Sequence, residues 1–219
     1  VRAAVVVPLK RFDTAKARLA PALEPTERAR LARALALGVL AAAAPLYTLV
    51  VCEDDEVADF ARDHGAEPLL TPGLGLSGAV EAGVAELARR GYDHAVVAHG
   101  DLPFVASLSA LEVLEGGVTV APDRRVAGSN VVAVPTTAGF RFCYGPRSYE
   151  RHREEARRLG LSFRTVHDWR FALDLDLPAD LDAARRALSG GVTAAGTTSS
   201  ARAATAAALV RRAGAAVAG

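Results

Sequence analysis

Residues 94–103 read HAVVAHGDLP, and the fold is decided here. The apolar run 94–98 has the length and β-branched character of a buried strand, and His99-Gly100-Asp101-Leu102-Pro103 forms the turn at its carboxyl end. Working outward, further strands are expected at 3–7 (AAVVV, ended by Pro8), 47–52, 66–70, 118–121, 130–134, 163–166 and 171–175. Helices are expected at 25–44, 54–64, 79–90, 107–115, 147–159 and 178–188. The first is opened by Pro25-Thr26-Glu27 and stopped by Pro45. This alternation predicts a three-layer α/β/α sandwich around a mostly parallel sheet. Ligands in such folds sit outside the carboxyl ends of the strands, which selects the loops 8–18, 72–78, 99–103 and 174–178.

A chain of 219 residues suits one domain, taken as 1–188, with a tail over 189–219. The tail is rich in Ala, Ser, Thr and Arg. It carries +3 against −2 for residues 1–188, and reads as a linker over 189–200 and a marginal helix over 201–213 with no part in the chemistry. A net charge of +1 argues against a general nucleic-acid or membrane-surface binder. No apolar run reaches the roughly 18 residues of a membrane span. The opening VRAAVVVPLK is too short for a signal peptide and lacks a small-residue cleavage site. Cys52 and Cys143 lie in apolar runs, which argues against a disulfide framework and for a cytoplasmic protein.

Composition sharpens the search. Isoleucine, glutamine and methionine are absent, there is one asparagine, and of 26 basic residues only Lys10 and Lys16 are lysines. Where a generic positive charge suffices this chain uses arginine, so two lysines six apart point to a site that needs a compact ammonium. With Arg11 and Arg18 they form a cationic first loop. A solvated loop is the plain alternative.

Asp174 and Asp176 of FALDLDLP would share one face of a strand, with the flanking leucines facing the core. Two adjacent carboxylates repel unless a cation or a proton intervenes, and Mg²⁺ resolves the conflict while binding phosphates. Asp101 would join them if its strand lies nearby; a helix-capping or exposed-acid reading competes at both places. Cations facing a carboxylate set suit a triphosphate, although GxxxxGK[ST] is absent. Segments 121–130 (APDRRVAGSN) and 144–152 (YGPRSYERH) offer Ser129, Asn130, Arg124, Arg125 and Arg147, with Gly145 and Ser148 where a helix begins. A helix amino terminus binds phosphate or carboxylate, so a small anionic second substrate would fit; Ser148 as an N-cap is the competing reading. His152, one turn on, is either a ligand contact or a satisfied surface histidine. GLGLSG at 73–78 lacks the context of a dinucleotide fingerprint, and Cys143 has no histidine close in sequence.

In order and spacing, VVPLKRFDTAKARL, ER-x-x-LA at 27–32, GDLPF, APDRRVAGSN, FCYGPRSYERHREEA and LDLDLPADL resemble the 2-phospho-L-lactate or phosphoenolpyruvate guanylyltransferases of coenzyme F420 biosynthesis. The resemblance spans about residues 3–188. It implies a Rossmann-like, nucleotide-diphospho-sugar transferase-like fold, and condensation of GTP with a phosphorylated three-carbon acid, releasing pyrophosphate. Carried over, Asp101, Asp174 and Asp176 would hold Mg²⁺, and Lys16, Arg18 and Lys10 would bind the GTP phosphates. Gly75 and Ser77, with the 72–78 loop, would lie over guanine and ribose, and Asp101 would also face the nucleotide. Ser129, Asn130, Gly145 and Ser148 would bind the acid, and Lys16 with the three acids would carry catalysis. The family usually has threonine where Ser129 stands and asparagine where Ser77 stands. The composition resembles high-GC actinobacterial members and favours phosphoenolpyruvate. A homodimer, or contact with the next pathway enzyme, is compatible with this reading. The competing readings are a molybdenum-cofactor or sugar-phosphate nucleotidyltransferase, a glycosyltransferase, and a non-catalytic nucleotide-binding module.

Overall fold

The computed structural model describes residues 1–109, 111, 115–189 and 210. Within these, β1 (Ala3–Pro8), β2 (Thr48–Cys52), β3 (Glu67–Leu70), β4 (His94–Ala98), β5 (Gly117–Pro122), β6 (Ser129–Pro135) and β7 (Ser162–Thr165) form one sheet in the order β3-β2-β1-β4-β6-β5-β7. The pairs β1–β2, β1–β4, β2–β3 and β5–β7 are parallel. Only β6 runs against its neighbours, antiparallel to both β4 and β5. The expected mostly parallel sheet is therefore found, with one reversed strand inside it.

Period-two alternation builds the three layers. Val5 and Val7 face one side and pack with Ala36, Val39 and Ala43 of α1 (Pro25–Ala43) and with Val57 and Ala61 of α2 (Asp55–Asp63). Ala4 and Val6 face the other and meet Val80, Val84 and Leu87 of α3 (Gly75–Arg89) and Ala156 of α4 (Ser148–Arg158). A one-turn helix α5 (Trp169–Ala172) and α6 (Pro178–Ser189) complete the described elements. A third apolar cluster joins Leu31 and Leu35 of α1 to Leu173, Leu175 and Leu181, and Val210 is buried within it. No helix among the described residues is long and apolar enough to cross a membrane.

Three sequence expectations need correction. Residues 171–175 are not a strand: α5 ends at Ala172, and the chain beyond runs extended without a ladder partner. The alternation that suggested a strand is real, since Leu173 and Leu175 are buried while Asp174 and Asp176 are not, but it serves helix packing rather than a sheet. Helix α3 starts at Gly75, not 79, so most of the glycine-rich stretch lies in its first turn. Of the helix expected at 107–115, residue 107 has no regular structure, 108, 109, 111 and 115 form turns or bends, and 110 and 112–114 lie outside the described residues, as does the tail apart from Ser189 and Val210.

Helix α3 lies close on the sheet because Gly83 has no side chain. A Cβ there would stand 2.8 Å from Val51 Cγ1 and 3.0 Å from Val6 Cγ1, both on stiff β-branched residues in the sheet. Gly38, inside α1, has nothing within 4 Å of the same construction. Gly83→Val is expected to lower the urea-unfolding free energy by about 2 kcal/mol through overpacking. Gly38→Ala should raise it by about 0.5–1 kcal/mol through helix propensity.

Candidate active site

Three separated segments meet at the carboxyl edge of the sheet. The loop after β1 turns through Lys16, whose backbone is left-handed (φ 58°, ψ 33°), into a 3-10 turn at Ala17–Leu19. Leu19 is fully buried in the cluster that also holds Leu173 and Leu175, so one apolar anchor brings Lys16 beside the two acids. The Leu175 N–H donates to the Asp101 carbonyl at 3.3 Å, tying the same segment to the turn after β4. Gly100 lets that turn approach the first loop: a Cβ there would fall 2.3 Å from Leu9 Cδ2.

At the meeting point the Lys16 ammonium donates to Asp101 Oδ2 at 2.5 Å and to Asp176 Oδ1 at 3.0 Å. Asp101, Asp174 and Asp176 each offer an oxygen, all within 4.8 Å of one another. Burial works against the Lys16 charge, but attraction to Asp101 and then Asp176 outweighs it and raises its pKa. Asp101 is likewise opposed by burial and held below the usual carboxylate range by Lys16 and His99. Asp174 has no such partner among the described residues: burial, then repulsion from Asp101 and Asp176, pushes it up to about 6. One ammonium does not neutralise three acids. The set fits a hard divalent cation, with three oxygen donors, excess negative charge, and a buried Asp101 Oδ1 without a hydrogen-bond partner among the described residues.

Asp180 is a residue the sequence reading missed. It is buried; its Oδ2 accepts from the Asp176 N–H at 3.2 Å and the Leu177 N–H at 2.7 Å, and its Oδ1 pairs with Arg124 at 2.5 Å. It therefore caps α6 and fixes the backbone of Asp176. An acid two residues after a helix-opening proline, in LPAD, was the available signal. Arg124 is spent on this pair.

Above the carboxylates opens a cleft of about 630 Å³ walled by Lys10, Lys16, Thr71, Gly75, His99 and Asp101 among others. Its size is that of a small-molecule site. Arg18 is exposed and does not line it. Ser77 does not line it either; its Oγ accepts from the Tyr144 N–H at 3.1 Å and so anchors the 142–145 segment, together with Glu81, which accepts from the Phe142 N–H.

Ser129 and Asn130 are buried at the start of β6, beside the end of β4, where the His99 N–H donates to the Asn130 carbonyl at 3.0 Å. The Asn130 amide donates to the Phe171 carbonyl at 2.9 Å. Gly145 is exposed, with φ 110°. Ser148 is buried as the first residue of α4, and Arg147, with a left-handed backbone, takes the N-cap position that was open to Ser148. His152 is fully buried rather than at the surface. Cys143 touches His152 through its backbone N–H, at 3.0 Å from Nε2, and among the described residues its Sγ has only a long contact to the Arg141 carbonyl.

The arrangement can bind a polyphosphate, through a cleft with a buried ammonium and a carboxylate set suited to a metal. Because Asp174 bears uncompensated repulsion, Asp174→Asn should stabilise the metal-free protein, by about 1 kcal/mol or more at pH 8 in chelator. Chemical denaturation measures this; a loss of stability would show that the Asp174 charge is compensated.

Residues 3–188 match the family described as Guanylyl transferase CofC like. A phosphoenolpyruvate guanylyltransferase of Sphaerobacter thermophilus is 37% identical over 185 residues, covering 81% of this chain and 89% of that one. A 3-phospho-D-glycerate guanylyltransferase of Phenylobacterium zucineum is 33% identical, covering 82% and 88%. A 2-phospho-L-lactate guanylyltransferase of Methanothermobacter thermautotrophicus is 28% identical, covering 83% of each. Among solved structures, one from Desulfovibrio desulfuricans described as a nucleotide-diphospho-sugar transferase superposes with a TM-score of 0.71 at 18% identity, covering 96% and 97%, a likeness of fold.

Proposed function

The chain belongs to the CofC-like guanylyl transferase family, and on that footing we propose that it transfers GMP from GTP to phosphoenolpyruvate, or to 2-phospho-L-lactate, in a Mg²⁺-dependent cytoplasmic step of coenzyme F420 biosynthesis. The observation that carries the chemistry is the Lys16 ammonium amid three carboxylates at the edge of an open cleft. Asp101, Asp174 and Asp176 would hold the divalent ion, which when bound supplies charge neutralisation to the triphosphate. The wall at Thr71, Gly75 and Leu76 receives base and ribose. Lys10 and Lys16 take the phosphates, and Ser129, Asn130, Gly145 and Ser148 take the acid.

The nucleophile is a phosphate oxygen of the acid, which is already anionic near neutral pH, so no general base is required. It attacks the α-phosphorus of GTP as pyrophosphate leaves. The difficulty is electrostatic, since two anions must be brought into contact. Lys16 answers it as a compact charge that exchanges carboxylate partners for phosphate oxygens. An arginine fork at that place would be wider and would spread its charge over a plane instead of presenting it at one point.

Pyrophosphate release from GTP should require Mg²⁺ and an acceptor, with phosphoenolpyruvate, 2-phospho-L-lactate and 3-phospho-D-glycerate assayed in parallel. Preference for phosphoenolpyruvate is expected; release with none of the three would refute the proposed reaction. Asp174→Asn and Lys16→Arg should each lower kcat by about a hundredfold or more with the fold retained. Near-normal turnover of either variant would remove that residue from the machinery.

A further inference from the structure

His152 is wholly buried in α4, and both its ring nitrogens are engaged. The Cys143 backbone N–H donates to Nε2 at 3.0 Å, and Nδ1 lies 2.9 Å from Ser129 Oγ. A main-chain N–H can only donate, so Nε2 presents its lone pair and the neutral ring carries its hydrogen on Nδ1. Burial, then the charges of Arg151 and His99, pushes the imidazole down to about 4, which keeps it neutral. Nδ1–H therefore donates to Ser129. The hydroxyl accepts on that side, and its own hydrogen meets no acceptor among the described residues.

The surroundings of this pair carry other unpartnered polar atoms. The Tyr144 ring lies against both His99, at 5.0 Å between centroids, and His152, at 5.1 Å. Tyr144 Oη and His99 Nε2 are buried without hydrogen-bond partners among the described residues, and His99 lines the cleft. Such atoms cost free energy unless a polar ligand meets them.

We propose that His152 is a positioning residue of the acceptor site: by donating to Ser129 it turns the serine hydroxyl into an obligate donor toward the acid substrate's phosphate. A free hydroxyl rotor can present either a lone pair or a hydrogen, and only the hydrogen attracts an anion. The inference rests on the assignment of Ser129 to acceptor binding. It reaches beyond it by assigning a function to a histidine that touches no substrate.

Two substitutions separate this role from plain anchoring of Cys143. The amide nitrogen of asparagine stands near the place of Nδ1 and can still donate to Ser129. The amide oxygen of glutamine stands near Nε2 and can still accept from Cys143. His152→Gln should raise the acceptor KM about tenfold with the GTP KM unchanged, and His152→Asn should stay within about threefold of the parent. The reverse ranking, or equal behaviour of the two, would overturn the proposal. On a Ser129→Ala background His152→Gln should add nothing; an additive effect would also overturn it. A parent enzyme that turns over while Ser129→Ala leaves the acceptor KM untouched would break the acceptor-site assignment itself. Ser129→Ala impaired with His152→Gln silent would remove only the role of His152. If the variants do not fold, ¹⁵N NMR of the parent protein still decides: the hydrogen is expected on Nδ1, and finding it on Nε2 refutes the proposal.

Discussion

The Lys16 ammonium, shared between Asp101 and Asp176, sets the terms for the whole carboxyl edge of the sheet. Like charges brought together in a half-buried place need a counter-charge, and the fold supplies one from the far end of the first loop. The alignment is enforced by apolar contacts. Leu19 beside Lys16 and Leu173 and Leu175 beside the acids are buried in one cluster with α1 and α6. The hydrophobic layer fixes where the backbone runs, and the polar residues between the leucines are left facing one another. The remaining imbalance falls on Asp174, whose carboxyl keeps an elevated pKa.

The reversed strand β6 gives this edge its second half. In a wholly parallel sheet only strand ends and the loops that follow them would reach the ligand side. Because β6 runs antiparallel to β4, its first residues, Ser129 and Asn130, lie beside the end of β4, and Asn130 is bonded to His99. Helix α4 then packs against the same region, and His152 and Ser148 are buried there. On the proposed assignment, the nucleotide side would rest on parallel strands and the acceptor side on a reversed one.

Much of this was legible in the sequence. Strand and helix alternation gave the layers, because a buried strand must alternate its faces and a helix must present a stripe. The rarity of lysine pointed to Lys16, since this chain uses arginine where a plain charge suffices. The direction of β6 was not legible, because a run such as SNVVAVP buries the same residues whichever way it pairs. The extended stretch 173–177 imitated a strand for a physical reason: alternate leucines are needed wherever a segment is buried on one side. Gly75 and Gly78 resembled a loop because glycine is a poor helix former, yet packing of α3 on the sheet overrides propensity. The buried setting of His152 was not legible, because its partners are a backbone amide and a serine 23 positions away. Such a pairing becomes visible only once the tertiary fold is known.

The separation of the charged residues along the chain has a consequence for synthesis. Lys16 and Asp101 are 85 positions apart, and Lys16 and Asp176 are 160 apart. During vectorial translation the ammonium emerges first and the last carboxylates appear only after the entire sheet has been made. A nascent or prematurely terminated chain that holds β1, β2 and β4 still lacks Asp174 and Asp176. If those acids serve as proposed, catalytic competence would be acquired only late in elongation, once the segment that precedes α6 has been made.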